Sequence, residues 1–139
     1  MPQPSDEREA LLRERFSKVN FLSFIGVNLE SSGEGFCRMS LDIRPELKQG
    51  QGVLHGGVTA ALVDTSIAFA IATLLEPGLE TTTVELKLNY LLPIREGRVI
   101  AEARVIRKGR NLVVSEADIL DQDGRLAAKG MATYMILRR

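Results

Sequence analysis

The stretch GVLHGGVTAALVDTSIAFAIATLL, residues 52 to 75, contains the residue types that could do chemistry. His55 is the only histidine of the chain, two glycines follow it, and Asp64 is the only carboxylate in this apolar stretch. A carboxylate among apolar neighbours is costly unless it is paired or hydrogen-bonded. Asp64 therefore has either a local hydrogen-bond partner and a structural role, or a place in a functional site, where buried acids tend to gather.

Gly56 and Gly57 stand where the apolar helix would begin, so their N–H groups are first-turn donors without an intrahelical acceptor. With the positive end of the helix dipole behind them, they could stabilise an anion or a polarised carbonyl. The alternative is a tight turn that merely needs glycine. His55 could equally be a hydrogen-bonded loop residue, and we expect no metal site because the chain has no cluster with ligand spacing.

The spacing of His55 and Asp64 bears on the oligomeric state of the protein. Nine residues of helix make two and a half turns, which puts the two groups on opposite sides and roughly 13 Å apart along the axis. If both are functional, a second copy must complete the site, with His55 and Gly56 of one subunit meeting Asp64 of the other. A two-fold dimer provides this arrangement twice.

The length, charge balance and cysteine content of the chain limit the class of protein to which it can belong. Its 139 residues suffice for one domain, spanning 1–139. Eighteen basic residues balance eighteen acidic ones, which argues against nucleic acid or an anionic membrane as a partner. The single Cys37 cannot form an internal disulfide, and no signal-peptide pattern opens the chain, so we expect a cytoplasmic protein. Residues 58 to 75 are apolar enough for a short membrane span, but Asp64 favours a buried core helix.

The elements that would position these residues follow from hydrophobic periodicity. Residues 5 to 18 predict a helix capped by Ser5, with an apolar stripe at Leu12, Phe16 and Val19. Residues 35 to 43 alternate as a half-buried strand, residues 44 to 54 are loop-like, and the long apolar helix ends at the Glu-Pro-Gly of residues 76 to 78. The order is a helix, one or two strands, a long helix and four strands.

The last four strands are separated by short turns and should pair antiparallel. Two of them predict an apolar face, formed by Val84, Leu86, Leu88 and Tyr90 in the first and by Val99, Ala101, Ala103 and Val105 in the second. A helix that is apolar nearly all round must be covered on nearly all sides. The sequence therefore predicts an α+β fold in which one curved antiparallel β-sheet wraps around one long central α-helix.

Three segments, LHGGVTAALVD, TTVELKLNYLLP and GRNLVVSEADILDQDGRLAAKG, resemble the hotdog-fold acyl-CoA thioesterases of the phenylacetate-pathway and thioesterase-superfamily-member-2 type. The similarity extends from about residue 20 to the C-terminus. It implies a hotdog fold, a dimer that often pairs into a tetramer, no cofactor, and hydrolysis of acyl-CoA to free acid and coenzyme A. Aspartate at position 64 is similar to the phenylacetate-type branch and less like the branches that use glutamate.

The resemblance also implies roles for single residues. The N–H of Gly56 would polarise the thioester carbonyl, as in an oxyanion hole. Asp64 would act as general base or nucleophile. His55 would help to position the thioester, and Thr83 matches a serine that orients water. Related proteins often have an asparagine six residues before the histidine; here Gln49 matches it, and Gln51 is a second amide in the same loop.

A basic turn at Lys108, Gly109 and Arg110 could bind the phosphates of coenzyme A, or could simply be solvated. Two other functions stay open beside the thioesterase. A dehydratase or hydratase on the same fold needs its histidine and acid at a different spacing. An acyl-CoA-binding sensor carries a DNA-binding segment, for which about twenty residues ahead of the fold are too few. The acyl group and the choice between dimer and tetramer are left open.

Overall fold

The computed structural model describes residues 6 to 138, and the side chains from residue 7 onward. Its helices are α1 (Asp6–Ser17), α2 (Asn20–Ile25) and α3 (Gly56–Ala72), with a 3-10 turn at Pro45–Leu47. Its strands are β1 (Val27–Gly33), β2 (Phe36–Asp42), β3 (Glu80–Tyr90), β4 (Arg98–Lys108), β5 (Leu112–Leu120) and β6 (Leu126–Leu137). They form one six-stranded antiparallel sheet in the order β1-β2-β4-β5-β6-β3.

Helix α3 lies in the concavity of this sheet and contacts all six strands. Its Leu62, Val63 and Ile67 are fully buried, together with the inward side chains of the central strands such as Val99 and Ala101. Burial of this apolar surface, at about 25 cal/mol per Å², drives the wrapping of the sheet around the helix. The α+β hotdog fold expected from the sequence is confirmed.

Helix α3 and the sheet are in tight contact at Gly130 of β6. A Cβ atom at this position would lie 2.6 Å from Cγ1 of Val63 and 3.2 Å from the carbonyl oxygen of Lys87. Valine is stiff at χ1 and cannot yield easily. Glycine at position 130 therefore sets the distance at which α3 packs on the sheet.

One side of α3 is covered less completely than the sequence predicted. Half-buried side chains recur along the helix at three- and four-residue intervals: Val58, Ala61, Thr65, Ala68 and Ala72. This set is called the open stripe below. Asp64 lies beside it and is half-buried too. The sheet thus leaves one stripe of the central helix half-buried, and α1 and α2 border only its C-terminal half.

The ends of the helices differ in part from the predictions. Ser5, the expected cap of α1, lies outside the described residues. Leu12 is buried and the Phe16 ring packs edge-on against Phe69 at 5.7 Å, but Val19 is exposed and precedes α2, which the sequence did not reveal. Helix α3 ends at Ala72, before the Glu-Pro-Gly. The hydroxyl of the next residue, Thr73, donates to the Ala70 carbonyl and accepts the Gly35 N–H.

The buried and exposed faces of the strands agree with the sequence prediction, with three exceptions. Strand β3 has an irregularity between Thr83 and Glu85, which leaves Val84 exposed and puts Leu86 and Leu88 alone on the half-buried face. Tyr90 at the end of this strand is exposed as well. Ser40, expected on the solvent side of β2, is fully buried, and its hydroxyl donates to the Glu30 carboxylate. No helix within residues 6 to 138 is long and apolar enough to span a membrane.

Candidate active site

His55 is the N-cap of α3. Its Nδ1 accepts the Gly57 N–H at 2.8 Å, and its carbonyl oxygen accepts the Val58 N–H at 2.9 Å. Because Nδ1 is an acceptor, the proton of the neutral ring sits on Nε2. A Cβ at position 57 would lie 3.0 Å from this same Nδ1. The second glycine of the motif therefore makes room for the histidine cap, which explains why the two residues occur together.

The Gly56 N–H is left without an acceptor among residues 6 to 138, since the histidine engages the next donors of the helix. The Tyr90 hydroxyl donates to the Gly56 carbonyl oxygen at 2.5 Å. A Cβ on Gly56 would lie 3.0 Å from that hydroxyl and 3.2 Å from the ring carbon that carries it. Glycine at position 56 therefore lets the Tyr90 ring pack against the backbone. The free N–H of Gly56 lies at the N-terminus of the helix, where the helix dipole is positive.

A cleft of about 380 Å³ opens at this helix end. We call it the glycine cleft; it is lined by Gly56, Gln49, Thr59 and Tyr90 and by apolar residues of the loops around positions 53 and 92. Gln49 lines this cleft and Gln51 does not. The Gln49 side-chain oxygen accepts the Gln51 N–H, so one end of the amide is held by its own loop.

Asp64 is held by two hydroxyls from the paired strands β3 and β6. Its Oδ1 accepts hydrogen bonds from Thr83 of β3, at 2.8 Å, and from Tyr134 of β6. The Tyr134 hydroxyl also contacts the Asp64 main-chain oxygen at 2.7 Å. Burial, followed by the hydrogen bond with Asp64, raises the pKa of Tyr134, so its hydroxyl stays protonated and able to donate at neutral pH.

The second carboxylate oxygen, Oδ2 of Asp64, receives no hydrogen bond from any described residue. The half-buried carboxylate lines a second cleft, of about 340 Å³, which we call the aspartate cleft. Its walls combine Thr65, Thr81, Thr82, Thr83 and Tyr134 with apolar residues of α2 and of the second half of α3. One oxygen is thus fixed and the other is available to a ligand or a water molecule.

The two clefts are separate in one chain. Gly56 and Gln49 line only the glycine cleft, whereas Asp64 and Thr83 line only the aspartate cleft. The eight residues of helix between Gly56 and Asp64 span about 12 Å. The groups that the sequence singled out therefore form two half-sites, and the geometry within one subunit does not bring them together.

The basic turn lies at the same end of the sheet as Asp64. The register aligns Lys108 with Val113, Val113 with Tyr134, and Tyr134 with Thr83, so the four residues form one row across the sheet. The Cα atoms of Lys108 and Tyr134 are two strand spacings apart, roughly 10 Å.

The side chains of the turn are free to bind an anion. Lys108 and Arg110 are exposed and make no ion pair within the described part of the chain. Arg138 donates to the Arg110 carbonyl and adds a third cation. A Cβ at Gly109 would lie 3.0 Å from the Leu112 carbonyl oxygen, which fits the tight turn.

Sequence reasoning missed both tyrosines of the site. Tyr90 was assigned to an apolar strand face and Tyr134 received no role, although the chain has only two tyrosines. A tyrosine that would be buried within a strand needs a partner for its hydroxyl, which is a usable signal. The identity of that partner is not readable from the sequence, because Tyr134 and Asp64 are 70 residues apart.

Comparison with known proteins identifies the family of the chain. The family model described as "Thioesterase superfamily" matches residues 51 to 128, more than half of the chain; Gly56, Asp64 and Thr83 lie within the match, and Gln49 and Tyr134 lie outside it. The chain belongs to the thioesterase superfamily. The resemblance seen in its sequence is confirmed, and the protein is an enzyme of the thioester-hydrolysing class.

Three relatives of this superfamily member are informative. A Saccharolobus solfataricus protein provisionally named an esterase is 33% identical over 127 residues, 91% of this chain and 84% of its own. The 1,4-dihydroxy-2-naphthoyl-CoA hydrolase of Escherichia coli is 28% identical over 120 residues, 85% and 87% of the two chains. The PaaI protein of the Escherichia coli phenylacetic acid degradation operon has the same fold, with a TM-score of 0.89 at 21% identity and 96% of each chain covered.

Proposed function

We propose that this thioesterase-superfamily member hydrolyses acyl-CoA thioesters to the free acid and coenzyme A. The observation that carries the proposal is the state of Asp64: the residue lines the aspartate cleft, two hydroxyls fix its Oδ1, and its Oδ2 has no donor among residues 6 to 138. A carboxylate with only a structural role would be expected to use both oxygens. This one is pre-positioned for a reacting atom.

The chemistry assigns one task to each half-site. The free Gly56 N–H, with the helix dipole behind it, stabilises the charge that develops on the thioester oxygen. Asp64 either removes a proton from water, which then adds to the carbonyl carbon, or adds to that carbon itself. In the first route the C–S bond then breaks, and coenzyme A leaves as a thiol with the proton that Asp64 took from water. In the second route the C–S bond breaks to give a mixed anhydride of the acyl group and Asp64; water then hydrolyses this anhydride to the free acid, restores the carboxylate and supplies the proton of the coenzyme A thiol. The Thr83 hydroxyl donates a hydrogen bond to Asp64, so the lone pairs of its oxygen can accept a hydrogen bond from the water.

The two half-sites meet if two copies pair through β3. This strand is at the edge of the sheet, eleven residues long, and its outer edge has no partner strand in the described chain. A long open edge is a surface that proteins normally cover. Thr83, beside Asp64, and Tyr90, beside Gly56, lie near its two ends. A two-fold axis at Lys87 would pair Leu86 with Leu88 of the next copy and, because of the irregularity between Thr83 and Glu85, would bring Thr83 next to Tyr90.

The same dimer would cover the open stripe of α3. These small and apolar residues lie next to Asp64 on the side that the sheet leaves free. A homodimer with two complete sites, each made of Gly56 from one subunit and Asp64 from the other, is therefore part of the proposal. From the resemblance we also expect that two such dimers pair into a tetramer.

The carrier of the acyl group is proposed from two observations. One relative is named a hydrolase of a CoA thioester. The basic turn of Lys108 and Arg110 offers unpaired cations on the row of residues that leads to Asp64, where coenzyme A phosphates could bind. A cytoplasmic location, suggested by the buried free thiol of Cys37, belongs to the same proposal.

The first experiment measures release of free coenzyme A from a panel of aryl- and alkyl-CoA thioesters. Wild-type protein should turn over part of the panel, and Asp64→Asn, which keeps size but removes the charge, should be slower by at least about a hundredfold. The Thr82→Val variant changes a hydroxyl of the same cleft that does not contact Asp64 and is the matched control. Equal turnover by wild type and Asp64→Asn, or turnover on no thioester, would refute the proposal.

Site sharing is tested by complementation between two inactive variants. Asp64→Asn and Gly56→Val chains with different tags are co-expressed, and dimers that carry both tags are purified. Such a mixed dimer contains one intact site and one doubly altered site, so its turnover should recover to about half of the wild-type value per dimer. Mixed dimers as inactive as either parent would show that each site belongs to a single chain.

A further inference from the structure

The aspartate cleft ends at a wall that it shares with a second cavity. This neighbouring cavity, of about 530 Å³, lies between α1 and the segment that joins α3 to β3. We call it the outer groove. Three residues line both cavities: Arg15, Ala72 and Leu75. The two spaces are therefore adjacent along the C-terminal half of α3, on the path that leads away from Asp64.

The three shared residues do not contribute equally to the wall. Ala72 and Leu75 belong to the end of α3 and the residues just after it, which form a common floor for both cavities. Arg15 belongs to α1 and reaches the cavities from another element. Its side chain lines both cavities and is called the partition below. The Arg15 guanidinium makes no recorded hydrogen bond or ion pair with residues 6 to 138.

The outer groove continues the apolar character of the aspartate cleft. Its lining includes Leu11, Leu12, Pro77 and Leu79, with charged residues of α1 among them. Leu11 is 58% exposed and Leu12 is buried. The groove would thus accept a hydrocarbon chain if the partition were absent.

The distance from Asp64 to the partition sets the longest acyl chain that the aspartate cleft can hold. The eight residues of helix between Asp64 and Ala72 span about 12 Å, which an extended chain of roughly nine or ten carbons would fill. Beyond that point, an acyl chain whose carbonyl is held at Asp64 meets the stem of Arg15.

We propose that Arg15 is the residue that limits acyl-chain length: the enzyme accommodates medium-chain acyl groups in the aspartate cleft, and Arg15 closes that cleft against the outer groove. This inference rests on the proposed function, because it assumes that the acyl group of the substrate enters the cleft that contains Asp64. Replacement of Arg15 by a small residue joins the two cavities and admits longer chains. Arg15 is exposed on a helix, so alanine at this position should fold normally.

The test uses non-hydrolysable S-alkyl-CoA thioethers of increasing chain length, with binding measured by calorimetry on wild type, Arg15→Ala and Lys18→Ala. Lys18 is the matched control, a cation that follows the same helix and lines only the outer groove. For wild type and Lys18→Ala, affinity should rise roughly three- to fourfold per methylene and level off near ten carbons. For Arg15→Ala, the rise should continue over several further carbons.

Hydrolysis of the corresponding acyl-CoA panel separates this inference from the proposed function. A plateau at the same chain length in wild type and Arg15→Ala overturns the role of Arg15 even if every thioester is hydrolysed. A plateau that moves in Arg15→Ala supports it even if no thioester is hydrolysed, in which case only the catalytic proposal fails. Absence of binding by every thioether overturns both. Arg15→Leu, which keeps an apolar stem of shorter reach, should give an intermediate limit.

Discussion

The Tyr134 hydroxyl lies 2.7 Å from the main-chain oxygen of Asp64 and donates a hydrogen bond to the carboxylate of the same residue. One side chain of β6 thus holds both the backbone and the carboxylate of an α3 residue 70 positions away. Thr83 of β3 supports the same oxygen from a neighbouring strand. The orientation of Asp64 is therefore a property of the helix–sheet interface, and Tyr134 acts as a positioning residue.

Tyr134→Phe should lower kcat by roughly tenfold with little change in KM. The substitution keeps the ring and its packing and removes one hydrogen bond to a charged group, an interaction of about 1.5–3 kcal/mol that fixes the carboxylate. Steady-state kinetics on the best thioester of the panel measures the effect. The Thr82→Val control should retain wild-type kcat, and an unchanged kcat in Tyr134→Phe would show that Thr83 alone suffices.

The basic turn should act on the nucleotide part of the substrate. The double variant Lys108→Glu and Arg110→Glu should raise KM for an acyl-CoA roughly three- to tenfold, because two exposed phosphate contacts are replaced by repulsion. The KM for the same acyl group on pantetheine, which lacks the nucleotide phosphates, should not change. The KM for acyl-CoA should also rise with salt in wild type and less so in the variant. Equal effects on both carriers would assign the turn a structural role.

Gly130→Ala should destabilise the fold by about 1–3 kcal/mol, since the added methyl group overpacks the interface of α3 and β6. The new Cβ would lie 2.6 Å from Val63 Cγ1 and 3.2 Å from the Lys87 carbonyl oxygen. Urea unfolding measures the change. Gly33→Ala is the control, because a Cβ there meets no atom within 4 Å. Equal stability of the two variants would mean that α3 can move away from the sheet at little cost.

Asp121 should contribute stability that is lost in acid. Its Oδ1 accepts the N–H groups of Arg125 and Asp123, each at 2.9 Å, and its Oδ2 accepts from Arg125 Nε at 2.9 Å. The main-chain N–H of Arg125, followed by the Arg125 side chain, lowers the pKa of Asp121. A depressed folded-state pKa gives stability that is full above the unfolded value of about 4 and disappears as the pH falls through the folded value.

The measurement is urea unfolding of wild type and Asp121→Asn between about pH 7 and pH 3. Wild type should be more stable at neutral pH, and the difference should shrink below about pH 4 as Asp121 takes up its proton. Asp123→Asn changes a more distant acid of the same turn, 3.8 Å from the Arg125 guanidinium, and should show a smaller difference. A gap that is constant across this pH range would contradict the assignment.

Local sequence was sufficient for most of the elements, α2 excepted, and for half of the candidate site. The alternation in β4 predicted the buried Val99, Ala101 and Ala103, and the loss of polarity after Gly57 predicted the central helix. The histidine and glycines before that helix indicated its first turn, where His55 is indeed the cap. Such signals are readable because neighbours in sequence share one face or one helix end.

The tertiary structure decided the rest. The irregularity at Val84, the early end of α3 at Ala72 and the partners of Asp64 all depend on residues far away in the chain. The nine-residue spacing of His55 and Asp64 showed that one helix could not unite the two groups. Only the fold placed Gly56 and Asp64 in separate clefts and left the β3 edge without a partner strand in the described chain. Periodicity fixes which face a residue belongs to, whereas strand order and register determine which distant face it meets.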